Sequence, residues 1–139
     1  MKKAAIIYNS KTGITKKYAE QICAYLETRG INVIIMPVQE YDDDIPDKVD
    51  YLLLGCWTNG LFFFFQHPDK VWKSFAARLP HPIKPKTALF TTYKLLTGSM
   101  FKNMSRHLNG RVNASFMELK SRNGSLSEND KTLLNHFTG

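Results

Sequence analysis

Ala4-Ala5-Ile6-Ile7-Tyr8-Asn9-Ser10-Lys11-Thr12-Gly13-Ile14-Thr15 decides how the rest of the chain is read. Its first five residues are a short apolar run rich in β-formers, which predicts a strand. From Ile14 onward the apolar residues recur at helical spacing, and Ile14, Tyr18, Ile22, Tyr25 and Leu26 are expected to form the inner stripe of a helix. A hydroxyl-rich turn joins the two. The first N–H groups of a helix lack internal partners and carry a partial positive charge. Ser10, Thr12 and Thr15 can donate to an anion there, and Gly13 lets the backbone come close. The run Ser10, Lys11, Thr12, Gly13, Ile14 and Thr15 therefore reads as a seat for a phosphate dianion. A well-capped helix in a Ser/Thr-rich loop is the plainer alternative. The position of the turn, directly after an N-terminal strand, favours the phosphate.

Outward from this stretch, strands and helices alternate. Gly30 stops the first helix, and Ile31–Met36 reads as a second strand that Pro37 ends or places at an edge. Tyr41–Pro46 reads as an acidic loop with at most one helical turn. Val49–Leu54 is a third strand, apolar enough to be buried on both faces. A loop from Gly55 to Gln66 leads to a helix over Pro68–Leu79, with Val71, Trp72, Phe75 and Leu79 on its stripe. Thr87–Thr92 is a fourth strand, Ser99–Leu108 a helix, and Val112–Leu119 a fifth strand. The last helix starts near Ser127, in a run resembling a capping box, with Leu126, Leu133, Leu134 and Phe137 on one face. Five strands alternating with helices predict a parallel sheet with right-handed crossovers. A length of 139 residues predicts a single domain over 1–139.

The seat resembles the FMN-phosphate loop of the flavodoxins, Ser/Thr-x-Thr-Gly-x-Thr, at all four specified positions. It is neither a Walker loop nor a dinucleotide fingerprint, since the distant and repeated glycines of those motifs are missing. The loop after the third strand, Gly55-Cys56-Trp57-Thr58-Asn59-Gly60, is similar to the flavodoxin pattern Gly-x-x-Thr-x-Gly. Asn59 stands where the family often has an aromatic, and Trp57 is two residues earlier. Trp57 is read either as a stacking residue or as core. The loop after the fourth strand, Thr91 to Ser99, offers Tyr93 for the outer face of the flavin and includes Gly98. It carries Lys94 where family members often carry an acid. Four consecutive phenylalanines, Phe62–Phe65, cannot all point inward, and some are expected at a pocket or a contact patch.

The resemblance implies a three-layer α/β/α fold of flavodoxin-like type, a five-stranded parallel sheet in the order 2-1-3-4-5, with the ligand where the order reverses. It implies cofactor contacts from Ser10, Lys11, Thr12, Gly13, Ile14, Thr15, Trp57, Thr58, Asn59, Gly60, Tyr93 and Gly98, with no catalytic residue and no metal. The expected function is electron transfer through non-covalently bound FMN. An FMN-dependent NAD(P)H:acceptor reductase of quinone type is the alternative, and a binding module that has lost its flavin is a third.

Charge adds a partner. The net charge is +7. Residues 70–122 hold 11 basic residues and one acidic one, whereas residues 1–69 hold 7 basic and 9 acidic. This asymmetry predicts either a docking face for an acidic redox partner or a merely solvated lysine-rich surface. Nucleic acid stands behind an acidic protein as the polyanion expected of segment 70–122. No apolar run reaches membrane-span length, and Met1-Lys2-Lys3 is followed by too short an apolar stretch for a signal peptide, so a cytoplasmic location is expected. Cys23 and Cys56, and His67, His81, His107 and His136, have neither metal spacing nor a nucleophile's partners. The acidic pair and strand-end aspartate of a response regulator are missing too.

Overall fold

The computed structural model describes residues 1–58, 70–80, 82–94, 97, 99–106, 108 and 116–139. Five parallel strands form one sheet: β1 (Lys3–Asn9), β2 (Asn32–Pro37), β3 (Tyr51–Trp57), β4 (Lys86–Thr92) and β5 (Met117–Ser121), in the order β2-β1-β3-β4-β5. Four helices connect and cover them: α1 (Ile14–Thr28), α2 (Lys70–Arg78), α3 (Met100–Arg106) and α4 (Glu128–Thr138). The expected topology is the observed one. The Phe62–Phe65 run, Asn59, Gly60, Gly98, His67, His81, His107 and the expected start of the fifth strand at Val112 lie outside the described residues.

Period-two alternation along the central strands divides the core into two layers. Ala4, Ile6, Tyr8, Leu53, Ala88, Phe90 and Leu119 pack against α1 and α4. Ala5, Ile7, Leu52, Leu54, Cys56 and Leu89 pack against α2 and α3. The central strands β1, β3 and β4 are buried on both faces, and β2 at the edge is half-solvated. Pro37 is the last residue of that edge strand, where a missing N–H costs nothing.

Three local findings differ from the periodicity. The inner stripe of α1 is Thr15, Tyr18, Ala19, Ile22 and Leu26, so Ile14 is 39% exposed and Thr15 only 1%. Helical spacing fixes a face to within one residue, and sheet contact chose the neighbour. β3 continues through Gly55 to Trp57 rather than ending at Leu54, because Gly55 pairs with Phe90 in the ladder. The β2–β3 link contains only two 3-10 turns, Val38–Glu40 and Ile45–Lys48. Val38, Tyr41 and Ile45 bury themselves there in place of a helix face.

The helix ends match their sequence signals. At the end of α1, Gly30 N–H bonds to Glu27 C=O at 3.0 Å and Ile31 N–H to Leu26 C=O at 3.2 Å, a Schellman pattern. Ser127 caps α4 by accepting from Asp130 N–H at 3.0 Å, and Asp130 accepts in return from Ser127 N–H at 3.1 Å. Asp130 also accepts from the buried Tyr18 hydroxyl at 2.9 Å, which ties α4 to α1. Burial, and then that contact, hold the Tyr18 phenol well above its ordinary range.

Candidate functional site

Sheet register places the site. Asn9 lies opposite Cys56, Cys56 opposite Thr91, Trp57 opposite Thr92, and Thr92 opposite Ser121. The loops leaving β1, β3, β4 and β5 therefore rise from one level at the carboxyl edge. Strand order reverses between β1 and β3, the place where open α/β sheets bind ligands.

The loop after β1 is built to present donors. Gly13 has φ +93°, a left-handed conformation that turns the chain into α1, and a Cβ there would meet nothing within 4 Å. Ser10 Oγ accepts from Gly13 N–H at 3.1 Å and from Lys16 N–H at 3.3 Å. With both lone pairs used, its proton is left for an outside acceptor. Thr12 is exposed. Lys17 N–H bonds to Gly13 C=O, but the N–H groups of Ile14 and Thr15 have no partner among the described residues. Hydroxyl protons, unpaired N–H groups and a positive helix end at one spot form a donor set with no acceptor role. That chemistry suits a phosphate monoester.

Thr15 is the member whose setting the sequence did not reveal. Its buried hydroxyl meets the Thr92 hydroxyl at 2.6 Å, linking the seat to the end of β4. A second threonine pair lies alongside, with Thr58 and Thr91 hydroxyls at 2.8 Å. Thr91 gives its proton to Cys56 C=O at 2.6 Å, so Thr58 donates to Thr91 and its lone pairs take no donor among the described residues. Thr58 N–H also bonds to Thr92 C=O at 2.9 Å.

Trp57 and Tyr93 are both half-buried at this edge, Trp57 as the last residue of β3 and Tyr93 as the first after β4. Lys11 Nζ stands 4.8 Å from the centroid of the Trp57 ring, and the Arg122 guanidinium 5.8 Å from that of Tyr93. The loop after β5 supplies contacts that no motif announced. Ser121 C=O accepts from Tyr93 N–H at 3.2 Å. Gly124 fits against the first turn of α1, where a Cβ would come 2.8 Å from Ile14 O. Among the described residues of the four loops, the charged side chains, Lys11, Lys94 and Arg122, are all basic. No described helix is long and apolar enough to cross a membrane.

A doubly wound parallel sheet with a donor-rich loop at its switch point defines the class of open α/β proteins that bind ligands at that crevice. Residues 5–100 match the flavodoxin domain, and the chain belongs to that family. No curated protein sequence matches it. Among solved structures, the two-electron reduced flavodoxin of Megasphaera elsdenii superposes with a TM-score of 0.69 at 19% identity, over 96% of each chain. A short-chain flavodoxin associated with a non-canonical PDU bacterial microcompartment gives 0.70 at 16%, over 99% of this chain and 94% of that one. Rubredoxin oxygen:oxidoreductase from Desulfovibrio gigas gives 0.70 at 16%, over 97% of this chain but 34% of that one. At these identities the likeness concerns the fold.

Proposed function

We propose that the chain binds FMN non-covalently and serves as an electron carrier. The observation that carries the reading is the donor-only seat at Ser10–Thr15, at the switch point of a flavodoxin-domain sheet. When bound, the flavin supplies one- and two-electron chemistry of its own. The protein's part is to hold, shield and bias it. Ser10, Thr12 and Thr15, with the N–H groups of Ile14 and Thr15, hold the phosphate. Thr58 offers an acceptor, and Trp57 and Tyr93 are positioned to flank the ring, excluding water from its faces. Lys11, Lys94 and Arg122 favour the form that carries negative charge, so the potential of that step is expected to be less negative than in a site ringed by acids. No side chain is assigned a catalytic acid or base role.

The basic half extends this reading to a partner. Lys94, Lys102, Arg106, Lys120 and Arg122 are exposed on α3, β5 and the loops of the β4–β5 side. They suit an acidic redox protein, whose association would fall steeply as salt rises. Reversal of Lys94, Lys102 and Arg106 to Glu should lower the flavin potential and remove that salt dependence. A potential unmoved by the reversals would leave the charge as a solvated surface. The reading itself is tested on protein purified from cells. A yellow preparation that releases FMN, and that sustains no steady NAD(P)H oxidation alone, supports a carrier. Rapid turnover of NAD(P)H with a quinone would replace it by a reductase, and a colourless chain that takes up no FMN would refute both.

A further inference from the structure

We propose that Thr92, at the end of β4, is a positioning residue for the phosphate seat: it donates to Thr15, and so turns the Thr15 proton toward the phosphate. The inference rests on the FMN reading above and names a residue that no phosphate motif contains. Its basis is the two threonine pairs. In the Thr58–Thr91 pair the direction is settled, because Thr91 spends its only proton on Cys56 C=O. In the Thr15–Thr92 pair, at 2.6 Å, neither hydroxyl has another partner among the described residues. Either proton could lie between the oxygens. A phosphate dianion accepts and does not donate, so its arrival decides the matter. Thr15 then donates outward and Thr92 donates to Thr15, forming a chain in which each bond polarises the next.

Thr15 lies in the first turn of α1, and the left-handed Gly13 before it takes the Lys11 and Thr12 carbonyls out of helical register, so its hydroxyl is oriented by Thr92 rather than by its own helix. Thr15 is 1% exposed and Thr92 5%, so water does not compete for the contact. Thr92 is also the ladder partner of Trp57 and the residue before Tyr93, which joins the seat to the strand ends that carry both aromatics.

The test measures FMN and riboflavin binding to the full chain, freed of flavin, by titration calorimetry, with the melting point of each flavin-free variant as a check on folding. Thr92→Val should weaken FMN about threefold to tenfold, the worth of one neutral hydrogen bond. Riboflavin, which has no phosphate, should bind within about twofold of the parent. Thr92→Ser should restore FMN affinity. In the Thr15→Val background, Thr92→Val should cost FMN nothing more. Equal weakening of both flavins, or an undiminished Thr92→Val effect in the Thr15→Val background, would overturn the proposal and leave Thr92 a packing residue. If Thr92→Val melts before the titration temperature, Thr92→Ala compared with Thr92→Ser separates the same two outcomes through the FMN-to-riboflavin ratio. A parent chain with no preference for FMN over riboflavin overturns the seat itself, and this inference with it, before any variant is made.

Discussion

Gly55 is the residue whose substitution puts the packing account at greatest risk. A Cβ at position 55 would stand 2.0, 2.2 and 2.5 Å from Cε2, Cζ and Cδ2 of Phe90. Carbon atoms need about 3.5–4.0 Å, so the ring would have to retreat by about 1.5 Å. It has nowhere to go. Phe90 is fully buried and meets Tyr18 edge-on at 5.9 Å, and the Tyr18 hydroxyl is tied to Asp130. Overpacking costs about 1–3 kcal/mol, and a whole ring held between strand and helix belongs at the upper end of that range. The stiffer unfolded chain of Gly55→Ala returns at most about 1 kcal/mol, leaving a net loss of about 2 kcal/mol. Urea unfolding followed by tryptophan fluorescence reads this directly. Phe90→Leu removes the obstructing ring edge, so Gly55→Ala should cost at least about 1 kcal/mol less in that background. A Gly55→Ala chain within about 0.5 kcal/mol of the parent would refute the reasoning, as would strict additivity in the double variant.

Three further outcomes follow from the same geometry. Thr12→Ala combined with Thr15→Ala removes two donors, and FMN affinity should fall at least about tenfold while riboflavin is unaffected; an unchanged FMN titration would put the phosphate elsewhere. If Trp57 and Tyr93 flank the ring, bound flavin should be strongly quenched, and Trp57→Ala or Tyr93→Ala should restore part of the emission; quenching that survives both would assign the role to other residues. Tyr41 is buried, its hydroxyl has no hydrogen-bond partner among the described residues, and its phenol is pushed up to about 12 by burial and then by Asp43. The unfolded chain therefore loses that proton first, and stability falls as pH rises from about 10 toward about 12. Tyr41→Phe should leave stability at neutral pH unchanged or raise it by up to about 1 kcal/mol. It should also shrink the loss between neutral pH and about pH 11 in urea unfolding, and an undiminished loss would contradict the assignment.

The parts of the molecule governed by local chemistry were legible in the sequence. The apolar run at Ala4–Tyr8, the hydroxyl turn and the helix after it announced β1 and α1. Gly30 and the Ser127 box marked helix ends because capping is decided within a few residues. What stayed hidden depends on residues far apart in the chain. Gly55 looked like a loop glycine, yet it is a strand residue that makes room for Phe90. Thr15 looked like a plain phosphate donor, and only strand register brings Thr92 to its hydroxyl. Ser121, Arg122 and Gly124 carry no motif, and they reach Tyr93 and α1 because β5 ends at the level of β4. The β2–β3 link could be read as an acidic loop, but nothing local told that Tyr41 and Ile45 would fill a helix's place in the core.

The proposed function stands or falls with the Ser10–Thr15 loop as the seat of a flavin's phosphate. Titration of the flavin-free chain with FMN and with riboflavin tests it most directly. Saturable binding of one FMN per chain is expected, at least about tenfold tighter than riboflavin, with the difference shrinking as inorganic phosphate is added to compete for the seat. Equal affinity for the two flavins, or no binding of either, would contradict it.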